Sequence, residues 1–95
     1  MRGAMITVED CVAMSGLTKA EVEAIAEHEH LGEAQAAALG HYLLHRVHGP
    51  EKIRAMIEDD IRTAMKHGAT AHAGVLLRAL RQFLHDFPEG RAVAS

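Results

Sequence analysis

The stretch TVEDCVAMSGLTKAEVEAI, residues 7–25, decides how the fold begins. Thr7 and Thr18 are of the residue types that favour the position just before a helix, and Glu21 follows Thr18 at the spacing of a T-x-x-E capping box. Gly16 is of the type that commonly ends a helix. The stretch therefore predicts a first helix, VEDCVAMS, closed by Gly16, and a second helix that runs from Lys19 to about His30.

Glycine and proline divide the middle of the chain. Gly32 interrupts the second helix, and the periodicity that follows predicts a third helix over residues 33–47. Pro50 suits the first turn of a fourth helix over residues 50–67, for which Gly68 is the stop signal.

The last helix completes a single domain. Thr70 is predicted to cap a fifth helix over residues 71–87, which ends before Pro88. Five short helices with short connections predict an all-α fold, either a bundle or an orthogonal packing, over residues 1–87. Residues 88–95 are expected to form a flexible tail.

Composition limits the classes of function. The chain has 95 residues, a formal net charge of −3 with histidine neutral, and one cysteine, Cys11. A core this small gives a thin margin of stability. We therefore expect the chain to associate, either with copies of itself as a homo-oligomer or with another protein. The acidic balance argues against nucleic acid. With no internal disulfide framework, no signal peptide and no apolar run that spans a membrane, we expect a cytoplasmic protein.

Residues 7–25 also resemble the helix-turn-helix of lac-repressor-type and MerR-type regulators. Gly16 matches the turn glycine, Leu17 the apolar turn residue, Thr18 the cap, and Val22 the packing position of the second helix. The resemblance implies that the second helix reads DNA in the major groove. Carboxylates are repelled by phosphates, however. The positions expected to be exposed on that helix are Lys19, Glu21, Glu23 and Glu27, and all but Lys19 are acidic. We therefore expect the shape of the motif without its DNA binding.

A looser resemblance covers more of the chain. The order of its pieces, including EDDI at residues 58–61 and LLRALRQFLHDFP at residues 76–88, is similar to that of small MerR-like chaperone-modulator proteins. This resemblance implies that the chain binds another protein.

The run EHEH, residues 27–30, indicates a polar site. At 100° per residue, Glu29 continues the apolar face of the second helix and His30 lies beside it. Asp60 falls near the middle of the apolar face of the fourth helix, and His72 on the flank of the fifth. A carboxylate in a core must be hydrogen-bonded, paired or metal-bound, so these groups are expected to meet.

Two interpretations of the meeting point stay open. One is a divalent-metal site, for zinc or iron, with Glu29, His30, Asp60 and His72 as ligands. The other is a buried polar network that fixes helix register. Glu27 and His30 have the E-x-x-H spacing of di-iron carboxylate bundles, but that design needs two such motifs and the chain has one. The secondary candidates for metal ligands are Glu27, His28, His41 and His45.

The third helix carries a histidine stripe, His41, His45 and His48, opposite its apolar face. Such a stripe is consistent with a chelating pair, a solvated face or a dimer seam. The leading hypothesis is a non-enzymatic module for protein interaction or oligomerisation with a divalent-metal site. The alternatives are a metal-binding or metal-sensing protein and a helix-turn-helix regulator. No catalytic residues or substrate are indicated.

Overall fold

The structure is a computed structural model that describes residues 6–91. Over these residues the chain is all-α, as the sequence predicts. A 3₁₀ turn, Pro88–Gly90, follows five α-helices: α1 Val8–Ser15, α2 Lys19–Glu29, α3 Glu33–Leu44, α4 Gly49–Lys66 and α5 Thr70–Asp86.

Capping side chains start the first two helices, which confirms the predictions made from Thr7 and Thr18. The Thr7 hydroxyl accepts from the backbone N–H of Asp10 at 3.1 Å, and the Asp10 carboxylate accepts from the backbone N–H of Thr7 at 3.1 Å. Thr18 and Glu21 form the same reciprocal pair at 3.2 and 2.9 Å. Each box satisfies N–H groups that a helix cannot pair internally.

Two predicted helix ends were wrong. The third helix was expected to reach residue 47, but α3 ends at Leu44 and Val47 is 84% exposed. The chain turns sharply here, and a Cβ at Gly49 would collide with the carbonyl group of Leu43. Thr70 lies inside the first turn of α5 instead of capping it, and the residue before that helix is Ala69.

The core lies where α2 meets the other helices. This helix packs against α3, α4 and α5, while α4 and α5 pack along each other and α1 packs against α3. Gly40 on α3 lets the helices approach closely, because a Cβ at that position would collide with Leu17 and lie 3.2 Å from Ile25. The largest fully buried apolar side chains are Phe83, Ile25, Ile53, Ile57 and Val22.

Glu21 corrects an expectation from the sequence. It was placed among the exposed residues of the second helix, but its side chain is fully buried. The side chain is covered because α2 packs against α3, α4 and α5; one carboxylate oxygen accepts from the backbone N–H of Thr18, and the other has no hydrogen-bond partner within residues 6–91. Burial raises the pKa of Glu21 despite these bonds to Thr18, and the charge of Asp86 raises it further.

The chain continues in an ordered turn after α5. Arg54 Nε donates to the carbonyl oxygen of Gly90 at 2.6 Å, and Gly90 is buried against Phe83. Residues 88–90 of the expected tail are thus fixed to α4, and residues 92–95 lie outside the described part. Within residues 6–91, every helix is too short or too polar to cross a membrane.

Candidate functional site

Histidine and carboxylate side chains gather where α2, α4 and α5 meet. We call the set Glu27, His28, Asp59, Asp60 and His72 the α2–α4–α5 junction. His72 Nε2 lies 2.6 Å from Glu27 Oε1, which connects α5 to α2. His28 Nε2 lies 3.3 Å from Asp59 Oδ2, which connects α2 to α4. Helical periodicity places these pairs near the C-terminal end of α2, one turn beyond its last core residues.

Asp60 is the buried member of the junction. It is 6% exposed, and its Oδ2 has no hydrogen-bond partner within residues 6–91. Burial, reinforced by the negative charges of Glu27 and Asp59, raises the pKa of Asp60 from 3.8 to about 6, while His28 and His72 act in the opposite direction. The carboxylate is therefore influenced by the charges of the other four junction residues but hydrogen-bonded to none of them.

His28 is held from both sides of its ring. Its Nδ1 lies 3.0 Å from Glu29 Oε2, and its Nε2 faces Asp59. Burial disfavours the protonated ring, but the hydrogen bonds to Glu29 and Asp59 outweigh it and raise the pKa of His28. The sequence did not single out Asp59, because helical phase alone points it away from the core.

The structure brings together only part of the predicted site. Asp60 and His72 influence each other electrostatically but share no hydrogen bond, and the other groups that act on Asp60 include the secondary candidates Glu27 and His28. Glu29 was expected at the edge of the core but is exposed, touching the junction only through His28. His30 leaves the helix in a left-handed conformation, φ 56°, so the helical phase used to place it no longer applies. It is exposed and makes no side-chain hydrogen bond within the described residues.

The junction side chains are arranged as pairs. Among residues 6–91, no three His, Cys, Asp or Glu side chains converge closely enough to hold a metal ion as they are oriented. Two hydrogen-bonded pairs flank Asp60 instead, one at the exposed end of α5 and one on the solvent side of α4. The arrangement can bind protons, and it can bind a cation if its side chains rotate.

The third-helix histidines divide into two groups. The His45 ring packs on that of His41, with 4.6 Å between centroids, and its Nδ1 lies 2.8 Å from the His41 carbonyl oxygen. His48 lies beyond the end of α3 and pairs with Glu51 at 2.8 Å. The expected stripe of three is therefore a pair, because the helix ends before its last member.

A second surface feature lies between α1 and α3. We call it the α1–α3 groove, an apolar depression of about 420 Å³. Met14 is 62% exposed at its edge, although α1 is otherwise packed against α3. The lining residues are Cys11, Met14, Ser15, Ala34, Ala37, Ala38 and His41.

Comparison with known proteins gave no match: no family model, curated protein or solved structure is significantly similar to this chain.

Proposed function

We propose that this chain is a small, non-enzymatic helical module that associates with a second copy of itself through the α1–α3 groove. The observation that carries the proposal is the groove itself, which is apolar and has an exposed Met14 beside it. Methionine adapts its shape to irregular apolar surfaces. Under two-fold symmetry, Met14 of each copy would enter the groove of the other, because both copies present the same patch.

The distribution of charge around the groove favours a second copy related by two-fold symmetry as the partner. The side chain of Leu44 lies near Gly16, and Val8 and Glu33 line one depression, so α1 and α3 run in the same direction. Glu9 and Asp10 give the N-terminal end of the α1–α3 helix pair a negative charge. Groups that are or can become cationic lie at the other end of α3: His41, His45 and Arg46. An antiparallel second copy would place acidic ends over basic ends, which favours that orientation.

The helix-turn-helix alternative has less support. Lys19, the one cation among the positions expected to read DNA, is paired with Glu23 at 3.1 Å and with Glu33 at 2.9 Å. Carboxylates at Glu23 and Glu27 would still face the phosphates of a bound duplex.

Sedimentation equilibrium over a range of protein concentrations tests the proposal. The wild-type chain should show a concentration-dependent mass that approaches twice the monomer mass. Ala38→Glu places a charge in the apolar groove and should give the monomer mass. Ala55→Glu is the matched control, because Ala55 is also an exposed helical alanine but lies on α4. A monomeric wild type, or equal masses for both variants, would refute the proposal.

The histidine pair offers a second probe of the same interface. Replacing both His41 and His45 by glutamate reverses the charge at the basic end of the groove, so dimer affinity should fall in low salt. An unchanged mass would show that His41 and His45 lie outside the interface.

A further inference from the structure

A buried carboxylate oxygen without a hydrogen-bond partner is stabilised either by protonation or by a bound cation. Asp60 Oδ2 has no such partner within residues 6–91, although Asp60 is 6% exposed and lies among histidines and carboxylates from two other helices. We propose that the α2–α4–α5 junction binds one divalent transition-metal ion of the zinc type, with Glu27, His28, Asp60 and His72 as its ligands.

The chemistry of the four ligands suits such an ion. Imidazole nitrogen together with carboxylate oxygen is a donor set typical of zinc, iron and manganese sites. Glu27 and Asp60 carry two negative charges when ionised, and neutral His28 and His72 add none. A divalent ion therefore neutralises the set without leaving a net buried charge.

One pair of the four ligands already has nearly the spacing that a shared ion needs. Two ligands on one zinc ion lie about 3 Å apart, since each bond is about 2 Å long. Glu27 Oε1 and His72 Nε2 are already 2.6 Å apart. His28 Nε2 faces α4, where Asp59 Oδ2, from the residue next to Asp60, lies at 3.3 Å. Rotation of the three flanking side chains toward Asp60 Oδ2 would replace the two pairs by one shared cation.

The surroundings of His28 already match those of a metal ligand. A ligating histidine normally has its other ring nitrogen hydrogen-bonded to a carboxylate or carbonyl group. Glu29 fills this role for His28 Nδ1 at 3.0 Å and leaves Nε2 for the metal. Asp59, displaced from His28, keeps a hydrogen bond from Arg62 Nη2 at 2.6 Å. Glu29 is thus a positioning residue, and this inference is independent of self-association through the groove.

A zinc titration of the untagged, chelator-treated chain tests the site. At pH 7.5, competition with a chromophoric chelator should show one Zn²⁺ bound per chain. Asp60→Asn and His72→Gln should each weaken binding about tenfold or more, because each removes a ligand. His85→Gln is the matched control, since His85 is also an exposed α5 histidine next to a carboxylate, Asp86, and its variant should bind like the wild type.

Thermal unfolding provides the second measurement and guards against misfolded variants. Saturating Zn²⁺ should raise the unfolding temperature of the wild type and of His85→Gln, but not that of Asp60→Asn, because only the folded site binds the ion. Circular dichroism of the metal-free variants checks that their helices are intact. Absence of stoichiometric zinc binding by the wild type overturns the proposal. So does a folded Asp60→Asn variant that binds zinc as tightly as the wild type.

Discussion

Asp59 and Asp60 are adjacent in sequence but their carboxylates lie in opposite environments. Asp59 is on the solvent side of α4, where hydrogen bonds from Arg62 and His28 lower its pKa. Asp60 is on the buried side, where loss of water raises its pKa to about 6. A single helical step of 100° thus changes the sign of the pKa shift, and the junction depends on that difference.

The metal-free chain should become less stable as pH rises from 4 to 7. The folded state holds the proton of Asp60 more tightly than the unfolded state does, because the pKa is about 6 in place of 3.8. The contribution of this group to folding is therefore complete below pH 4 and is lost as pH rises through 6. Asp60→Asn should remove this loss and raise the free energy of unfolding by about 1–3 kcal/mol at pH 7.5. Urea unfolding at pH 5 and 7.5, with chelator present, measures it.

Asp59→Asn serves as the control for that pH dependence. The lowered pKa of Asp59 contributes stability that is present above pH 4 and lost as pH falls below it. This variant should therefore keep most of the stability loss between pH 5 and 7.5, reduced only by the part of the raised pKa values of His28 and Asp60 that Asp59 causes. If Asp60→Asn loses as much stability as the wild type over that range, the carboxylate of Asp60 is not buried in solution.

Gly40→Ala should destabilise the fold by about 1–3 kcal/mol, because the new methyl group would press on Leu17 and Ile25 in the core. Gly74→Ala is the matched control, since Gly74 also lies within a helix but a Cβ there meets nothing within 4 Å. That variant should gain about 0.5–1 kcal/mol from helix propensity. Chemical unfolding distinguishes the two, and equal effects would contradict the close packing of α2 against α3.

Thr18→Ala should cost about 1 kcal/mol of stability, because it removes the acceptor for the backbone N–H of Glu21 at the start of α2. Thr70→Ala should change stability by less than about 0.5 kcal/mol, since the Thr70 side chain does not cap α5. A larger loss at Thr70 than at Thr18 would show that the helix starts are assigned incorrectly.

Arg54→Leu should release the turn at Pro88–Gly90, because Arg54 Nε is the donor to the carbonyl oxygen of Gly90. We expect a loss of about 1–2 kcal/mol and faster amide exchange at Gly90, whose N–H is bonded within the same turn. Arg62→Leu removes an exposed arginine from the same helix and should leave that exchange rate unchanged.

Local signals in the sequence predicted most of the helical framework. The cap at Thr7, the capping box at Thr18, the glycine at Gly16 and the proline at Pro50 act within one turn of themselves, so their neighbours in sequence suffice to interpret them. Predictions of helix ends that depended on contacts distant in sequence were less accurate. α3 stops at Leu44, and the chain then turns back so closely that Gly49 lies against the backbone of Leu43, a contact that has no signature in helical periodicity.

The sequence alone also identified Asp60 and His72 as residues that should meet, because apolar periodicity assigns a polar residue to a helix face. It did not determine which side chains of EHEH meet them. Glu27 and His28, not Glu29 and His30, face α4 and α5, because α2 ends at Glu29 and its rotation is set by packing against three other helices. The rotation of a helix about its axis is a property of the assembled core, and only the tertiary structure decides it.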